Sequence, residues 1–365
     1  MSTDDSDQLP YATAKSLRLL GKFRERPEDF QVEEIPAYQP TGTGEHLMVR
    51  FEKTGMTTPE AVRRLAEALG VDPAQAGWAG LKDRMAVTSQ WVSLFGGTPE
   101  AAQTLAFPGL RVLEAARHTH KVRTGHLRAN RFVIRIRCDP AQLEIARTVM
   151  AELATCGGPN YYGEQRFGRF GDNVSQARRF LSEGGRAPRD RFKRKLLVSA
   201  LQSHWFNAWL AARVERGALH RVIDGDLMRK EDTGGLFIAA ELEDAQSRVA
   251  AWQISPTGPI FGAEMRWPER AALEFERALW VADGMPAETL QRLRKWMPGS
   301  RRVARIRPAD VHVLPFGGGI ELTFTLPKGA YATVVLRELL KSDAIDAGDP
   351  DADSEATSGP LLAPS

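Results

Sequence analysis

Short apolar runs and helical patterns alternate along the first third of the chain. Residues 47–51 form an apolar run of strand length, and residues 87–95 alternate apolar and polar positions with many β-favouring side chains. Between them, Thr58-Pro59-Glu60 predicts a helix start with proline at its first position, and Gly70 predicts its end. The segment Lys82-Asp83-Arg84 therefore lies in a connection that leads into a strand.

The remainder of the chain shows the same mixture of periods. Residues 131–137 alternate basic and apolar positions, which predicts a half-buried strand with one charged face. Residues 140–155 and 192–214 have helical patterns, and residues 311–326 are again rich in β-favouring residues. No internal repeat is present, so the pattern favours a globular α+β protein over a solenoid or propeller.

Changes in composition suggest two domain boundaries. Residues 183–192 are rich in Gly, Arg and Asp, and residues 299–308 are rich in Arg. We expect a main domain of residues 8–185 together with 305–341, interrupted by an inserted α/β domain of residues 186–304. Residues 342–365 contain mainly Asp, Ala, Pro and Ser, so this acidic tail lacks the apolar surface needed to fold and is predicted to be disordered.

The charge of the chain is concentrated away from its ends. The whole sequence has a net charge of only +3, with 49 basic and 46 acidic residues. Without residues 1–7 and 341–365, 48 basic and 37 acidic residues remain, a surplus of 11. Such a surplus fits a polyanionic partner, because neutralising phosphates releases counterions. No apolar run has the length of a membrane span and no secretory signal is present, so we expect a cytoplasmic protein without a membrane partner.

Two groups of residues resemble metal ligands only superficially. Cys138 and Cys156 are separated by 17 residues and lack zinc-type spacing, so both are interpreted as free thiols in the core. His118 and His120, with His126 nearby, lie among lysines and arginines that would repel a cation. We expect these histidines to contact phosphate or support such a contact, and we expect no metal.

The most informative segment is Gly80-Leu81-Lys82-Asp83-Arg84-Met85-Ala86-Val87-Thr88-Ser89-Gln90. It resembles the signature G-x-K-D-[RK]-x-A-x-T-x-Q of the TruD family, the pseudouridine synthases that act on tRNA. Residues 26–34, 159–168 and 329–339 agree with further motifs of that family in order and spacing. The four segments together span most of the chain, which makes the joint resemblance specific although each motif alone would be weak.

The resemblance implies a fold and an activity. It implies an α+β pseudouridine synthase domain with a mixed or antiparallel sheet, interrupted by a TRUD-type insertion. It also implies that the enzyme isomerises uridine 13 in the D-arm of tRNA. No cofactor, metal or obligate protein partner is expected, and we expect a monomer that binds tRNA.

The reaction explains why an aspartate is the central residue. Pseudouridine forms when the bond from the uracil nitrogen to the ribose breaks and the ring is rejoined through carbon, without redox change. A carboxylate can serve as the nucleophile or stabilise positive charge on the sugar. Asp83 is the candidate, and the flanking cations Lys82 and Arg84 would favour its ionised form. Whether it attacks the ribose or the ring stays open, and a surface Lys-Asp-Arg turn is the alternative without function.

A uridine in folded RNA must leave its stack to react and needs an aromatic face to rest on. By the resemblance, Phe30 and Tyr331 line the uracil pocket, although the family usually has Phe at the second position. Asn160 can donate and accept hydrogen bonds, which suits an imide edge or the surroundings of the nucleophile. Without the resemblance, both aromatics could be core residues and Asn160 a turn residue.

Basic residues supply candidate contacts to RNA. Arg24 stands where the family commonly has Lys, and Ala129, in the basic segment of residues 121–131, replaces a usual Gly. Residues 186–195 and 301–307 are further basic runs, and any of these runs could instead be a solvated face. The candidate RNA contacts are Arg24, Lys82, Arg84, Lys121, Arg123, Arg128 and Arg166.

Two other classes of protein remain open. A non-catalytic tRNA-binding or tRNA-folding protein would have the same basic surplus, but it gains little from an anion such as Asp83 in its binding cleft. A glycoside-cleaving hydrolase would need a second carboxylate, for which Glu164 is the candidate. Release of free uracil would identify that activity.

Overall fold

The computed structural model describes residues 9–168, 171–181, 185–186, 188–284, 289–292 and 294–342. Within these ranges the strands are β1 (Gly21–Phe23), β2 (Phe30–Pro36), β3 (His46–Lys53), β4 (Gly77–Trp78), β5 (Val87–Phe95), β6 (Ala106–Phe107), β7 (Leu110–His118), β8 (Leu127–Cys138), β9 (Gly158–Pro159), β10 (Leu227–Lys230), β11 (Leu236–Ile238), β12 (Ile254–Ile260), β13 (Ser300–Val303), β14 (Arg305–Ile306), β15 (Ala309–Phe316) and β16 (Gly319–Pro327). The helices are α1 (Thr58–Ala68), α2 (Pro99–Gln103), α3 (Leu143–Cys156), α4 (Asn173–Leu181), α5 (Arg191–Glu215), α6 (Leu242–Ala250), α7 (Arg270–Ala282), α8 (Thr289–Arg292) and α9 (Ala332–Leu340).

The described residues fall into two compact units. Residues 18–151 and 308–332 form the first, which we call the sheet unit. The described residues of 9–17, 152–307 and 333–342 form the second, the helical unit. The domain boundaries inferred from composition, with an insertion over residues 186–304, stay predictions. The predicted disordered tail lies outside the described residues from residue 343 onwards.

The sheet unit contains a 10-stranded sheet of mixed direction. The strand order is β15-β16-β8-β2-β5-β3-β7-β6, with β1 paired to β8 and β4 paired to β5. Strands β2 and β5 run parallel, and the other described pairings in this sheet are antiparallel. The predicted α+β class with a mixed sheet is therefore confirmed.

Alternation in β3 explains how the sheet is covered. Leu47, Val49 and Phe51 lie on one face of the strand and belong to a buried cluster that includes Val62 and Leu65 of α1. Each such side chain contributes roughly 1.5–3 kcal/mol when fully buried. Helix α1 thereby fixes the start of the segment that follows it, which contains Asp83.

Most of the predicted elements are present. The alternating residues 87–95 form β5, and the helical pattern of residues 140–155 forms a 3-10 turn of residues 140–142 followed by α3. The pattern of residues 192–214 forms α5, and the β-rich residues 311–326 form the hairpin of β15 and β16. These segments are long, and the existence of long elements is what local sequence predicts best.

The helical unit is built around α5 and a four-stranded antiparallel sheet in the order β11-β10-β12-β13. Two ion pairs are buried inside it: Arg213 with Asp226, and Arg301 with Glu276, each with a shortest nitrogen-to-oxygen distance of 2.6 Å. None of the described helices combines the length and the apolarity that crossing a membrane would require.

Candidate active site

A chain of hydrogen bonds through two side chains anchors the segment that carries Asp83. The backbone N–H of Lys82 donates to Oγ1 of Thr58 at 3.0 Å, and that hydroxyl donates to Oε1 of Gln90 at 2.8 Å. Gln90 Nε2 in turn donates to the carbonyl of Gly80 at 3.2 Å. Because Thr58 begins α1 and Gln90 lies in β5, the segment is fixed to both elements.

A buried lysine supports the main chain of Asp83. Lys53, at the end of β3, is fully buried and donates from Nζ to the carbonyl oxygen of Asp83 at 2.8 Å. Burial lowers the pKa of the Lys53 ammonium to about 8, and the nearby charge of Asp83 opposes that shift. The loop that carries Asp83 is therefore anchored through its backbone, and the carboxylate of Asp83 can bind other groups.

The carboxylate of Asp83 contacts Arg24. Arg24 Nη2 lies 3.0 Å from Oδ2, and the backbone N–H of Met85 donates to Oδ1 at 3.0 Å. The Asp83 side chain is 20% exposed, so solvent or a ligand can reach it. Both contacts stabilise the negative charge.

The two cations beside Asp83 in sequence have other partners. Lys82 Nζ lies 2.9 Å from Oε2 of the buried Glu34, whose other oxygen accepts the N–H of Trp91 at 3.3 Å. Arg84 donates from Nε to the carbonyl of Gly55 at 3.3 Å. The cation that pairs with Asp83 is thus Arg24, which is 59 positions earlier in the sequence. Side chains of sequence neighbours can point in different directions, so adjacency in the sequence does not indicate an ion pair.

Phe30 lies next to this ion pair. The Cζ atom of Arg24 is 4.1 Å from the centroid of the Phe30 ring, a cation–π contact. The rings of Phe23 and Phe132 border Phe30 at centroid distances of 6.5 and 6.2 Å. Phe30 is only 4% exposed. Arg24 therefore connects the carboxylate of Asp83 with the aromatic ring predicted to receive the base.

Tyr331 lies in the sheet unit just before α9. It follows a turn in which the N–H of Lys328 donates to the carbonyl of Arg128 at 3.2 Å and Gly329 has a φ of +80°. The Tyr331 side chain is 45% exposed. The structure thus places this ring at the surface and ties its turn to the exposed Arg128 at the start of β8.

Asn160 belongs to the helical unit, and both polar atoms of its side-chain amide form hydrogen bonds there. Its Oδ1 accepts from Arg302 Nη2 at 2.6 Å, and its Nδ2 donates to the carbonyl of Val303 at 3.0 Å. Asn160 is 2% exposed. Its predicted contact with substrate stays a prediction, and the observed contacts give it a structural role.

Asn130 is a polar residue for which the sequence predicts no separate role. It lies in β8 directly opposite Glu34 of β2, within the basic segment of residues 121–131. Its Oδ1 is buried and has no hydrogen-bond partner within the described part of the chain. A buried acceptor without a partner is costly, so this oxygen is a candidate for binding a ligand donor. The available sequence signal was its place in the basic segment of residues 121–131, directly after Ala129.

The other predicted RNA contacts lie in both units. Lys121, Arg123 and Arg128 are exposed in the sheet unit. Arg166, in the helical unit, donates to Ser203 Oγ at 3.1 Å and also contacts Ser199 Oγ. Contact of any of them with RNA stays a prediction.

The predicted histidine group surrounds Tyr38 in the sheet unit. His118 stacks on the Tyr38 ring with centroids 4.9 Å apart, and the Tyr38 hydroxyl lies 3.0 Å from His126 Nδ1. Burial lowers the pKa of His118, and the neighbouring His120 lowers it further. The described ranges contain no group of three potential metal-ligating side chains. Both cysteines are free, but the prediction that they lie in the core is wrong for Cys156, which is exposed, and Cys138 is only partly buried.

Comparison with known proteins identifies the family. Residues 8–174 and 190–339 match the family model described as tRNA pseudouridine synthase D (TruD). The chain belongs to the TruD family. The resemblance found in the motifs of the Asp83 segment is thereby confirmed, and with it the prediction that the protein is an enzyme of the pseudouridine synthase type.

Named relatives match the chain over nearly its full length. A protein named tRNA pseudouridine synthase D from Anaeromyxobacter dehalogenans is 47% identical over 341 residues, covering 92% of this chain and 97% of its own. A protein of that name from Thermus thermophilus is 40% identical, with 93% and 94% covered. A crystal structure bearing the TruD name, from Methanosarcina mazei, has the same fold with a TM-score of 0.74 at 23% identity, with 91% and 96% covered.

Proposed function

We propose that this TruD-family enzyme converts a uridine of tRNA to pseudouridine and that Asp83 is its catalytic carboxylate. The position proposed, uridine 13 in the D-arm, rests on the family motifs. The observation that carries the catalytic assignment is the partly exposed Asp83 carboxylate on a segment anchored to Thr58, Gln90 and Lys53. A rigid support of this kind holds a nucleophile in position before the substrate arrives.

The reaction balances without an outside reagent. The bond between N1 and the ribose C1′ breaks, the ring turns, and a bond forms between C5 and C1′. C5 then loses a proton and N1 gains one. An Asp83 oxygen acts as a covalent nucleophile towards the ribose or the ring, and both routes use the same carboxylate.

Other residues of the sheet unit are proposed to bind the base and the backbone. Phe30 and Tyr331 supply aromatic surface for the extruded uracil, since bases outside their stack rest on such rings. Asn130 Oδ1 is proposed to accept the imide N–H, because that oxygen is buried without a partner among the described residues. The exposed cations Lys121, Arg123 and Arg128 are proposed to contact phosphates, with the tRNA as the polyanionic partner.

The test is incubation of the purified protein with an unmodified tRNA transcript, followed by mapping of pseudouridine at every position. Formation of pseudouridine at position 13 is the expected result. Release of free uracil would instead indicate the hydrolase, and tight binding without any modification would indicate a tRNA-binding protein.

A further inference from the structure

Two exposed apolar side chains flank Asp83, and we call them the apolar pair. Leu81 is 55% exposed and Met85 is 49% exposed, and each stands two positions from the aspartate. Two residues span at most about 7 Å of main chain, so a nucleotide bound at the Asp83 carboxylate comes close to both side chains. Both stand at positions that the motif G-x-K-D-[RK]-x-A leaves open, so the family signature assigns them no role.

The main chain that carries the apolar pair is fixed. The residues directly before and after Leu81 form hydrogen bonds to side chains of β5 and α1, at 3.2 and 3.0 Å, and these bonds hold its main chain on both sides. The N–H of Met85 donates to Asp83 Oδ1 at 3.0 Å, and the next residue, Ala86, is completely buried. Neither side chain can turn into the core while these contacts are in place. Their exposure is therefore a fixed feature of the segment.

The chemistry of the apolar pair limits what can cover it. Leucine carries no donor, acceptor or charge and methionine offers only a weak acceptor, so neither side chain binds a phosphate. Apolar surface gains stability when another apolar surface removes it from water. The faces of nucleobases are such surfaces, and the faces next to a uridine become uncovered when that uridine leaves its stack. The neighbours of the reacting nucleotide thus match both the position and the chemistry of the pair.

We propose that the apolar pair enters the gap left by the extruded uridine and contacts the faces of the two neighbouring bases. This proposal rests on the proposed function, since it takes the extruded uridine to be the one at Asp83. Leucine and methionine are among the side chains that proteins insert between base steps. The contacts offset part of the stacking that extrusion breaks, which keeps the uridine beside the carboxylate. Leu81 and Met85 are positioning residues, because they touch the neighbours of the reacting nucleotide.

The double variant Leu81→Ala/Met85→Ala tests the proposal with two RNA probes. One probe is the tRNA with an abasic residue at the target position, and the other has abasic residues there and at both neighbouring positions. We expect the variant to bind the first probe about fivefold to thirtyfold more weakly than wild type does, because two apolar contacts are lost. Binding of the second probe should be equal for the two proteins, since it lacks the base faces.

Steady-state kinetics on the unmodified transcript give a second readout. The double alanine variant should lower kcat/KM by a similar factor and still form pseudouridine at the same position, because Asp83 is unchanged. Leu81→Met/Met85→Leu keeps two apolar side chains of similar volume and should recover most of that loss. Leu314→Ala is the matched control, since Leu314 is a 54% exposed leucine in β15 of the same unit, and it should behave as wild type with both probes.

Two outcomes would overturn the proposal. Equal weakening of both probes by the double alanine variant would mean that the apolar pair supports the Asp83 segment and touches no base. Wild-type binding of both probes would mean that the pair makes no contact with the RNA. The proposed function is tested separately, by pseudouridine formation with the wild-type protein. Its failure would leave the selective loss of binding to the first probe measurable, because neither probe contains a target uridine.

Discussion

Two arginine–aspartate pairs in this protein have similar distances but very different surroundings. Arg213 and Asp226 lie 2.6 Å apart in the helical unit, with side chains 0% and 3% exposed. Arg24 and Asp83 lie 3.0 Å apart in the sheet unit, with side chains 15% and 20% exposed. The number of satisfied hydrogen bonds separates them more clearly than the distance does.

Each nitrogen of the Arg213 guanidinium has at least one acceptor. The guanidinium donates to both oxygens of Asp226 and to the carbonyls of Ala218 and Arg221. Asp226 also accepts the N–H of Ile223 at 2.7 Å. Arg24, in contrast, has a buried Nε without a partner in the described residues. The Arg213–Asp226 pair is therefore part of the fold's interior, whereas the Arg24–Asp83 pair is partly exposed and leaves one buried donor unsatisfied.

The largest effect is expected from Asp83→Asn. This change keeps the shape of the side chain but removes its charge and nucleophilicity, so pseudouridine formation should fall by at least about 10³-fold. Binding of tRNA should stay close to wild type, because the phosphate contacts are untouched. The measurement is pseudouridine mapping together with equilibrium binding of the same transcript.

The control for that variant is Asp72→Asn. Asp72 lies in the same unit and accepts the N–H of Ala74 at the start of a short 3-10 turn, a capping role that asparagine also performs. The pseudouridine-forming activity of Asp72→Asn should equal that of wild type. Full activity of Asp83→Asn would contradict the catalytic assignment.

The next largest effect is on stability and comes from Asp226→Asn. Removal of one charge leaves the Arg213 guanidinium buried without its counter-ion, which typically costs about 3–5 kcal/mol of unfolding free energy. Denaturant unfolding measures this cost. Glu52→Gln, which breaks the exposed pair with Arg111, serves as the comparison and should leave the unfolding midpoint unchanged. A small loss of unfolding free energy for Asp226→Asn would show that burial does not make the Arg213–Asp226 pair more important than the exposed Arg111–Glu52 pair.

The sequence predicts this contrast only in part. The periodic segments that form β5, α3 and α5 were predictable because their patterns are long and local. The Asp83 segment was recognisable from its motif. The pairing of Asp83 with Arg24 was not, because it depends on tertiary contacts between residues far apart in the chain, and Lys82 is nearer in sequence but turns towards Glu34.

Charge runs are equally hard to interpret from sequence. Arg301 and Arg305 belong to the basic run of residues 301–307, yet both are buried: Arg301 pairs with Glu276, and Arg305 donates to the carbonyls of Val249 and Ile254. The roles of Asn160 and Asn130 likewise depend on which amide finds partners in the fold. Composition carries no information about such partners.

Because of Lys53, the unfolding free energy of the protein is expected to depend on pH. Burial lowers its pKa in the folded state from 10.5 to about 8, so between these values the unfolded chain binds more protons than the folded one. Unfolding free energy therefore rises with pH across this window, by an order of about 3 kcal/mol if the whole shift is expressed. Below pH 8 the charged ammonium is buried at a cost to stability.

The measurement compares wild type with Lys53→Met, which lacks the titrating group. The free energy of unfolding of wild type should increase relative to that of the variant as the pH rises from 8 towards 10.5. If the difference in unfolding free energy between the two proteins is constant across this range, Lys53 does not titrate within it.

The smallest effect is expected from Asn130→Ser. This variant tests whether the unpartnered Oδ1 of Asn130 belongs to the proposed uracil-binding site. Because Asn130 Oδ1 has no partner among the described residues, its loss should cost the fold less than about 1 kcal/mol. If the oxygen accepts the imide N–H of uracil, kcat/KM should fall by about tenfold, as one neutral hydrogen bond is worth about 1 kcal/mol. Asn160→Ser should show the opposite result, a clear loss of stability with a smaller change in kcat/KM. Both polar atoms of that amide bind the protein itself. A stability loss at Asn130 without a change in kcat/KM would place it with the structural residues.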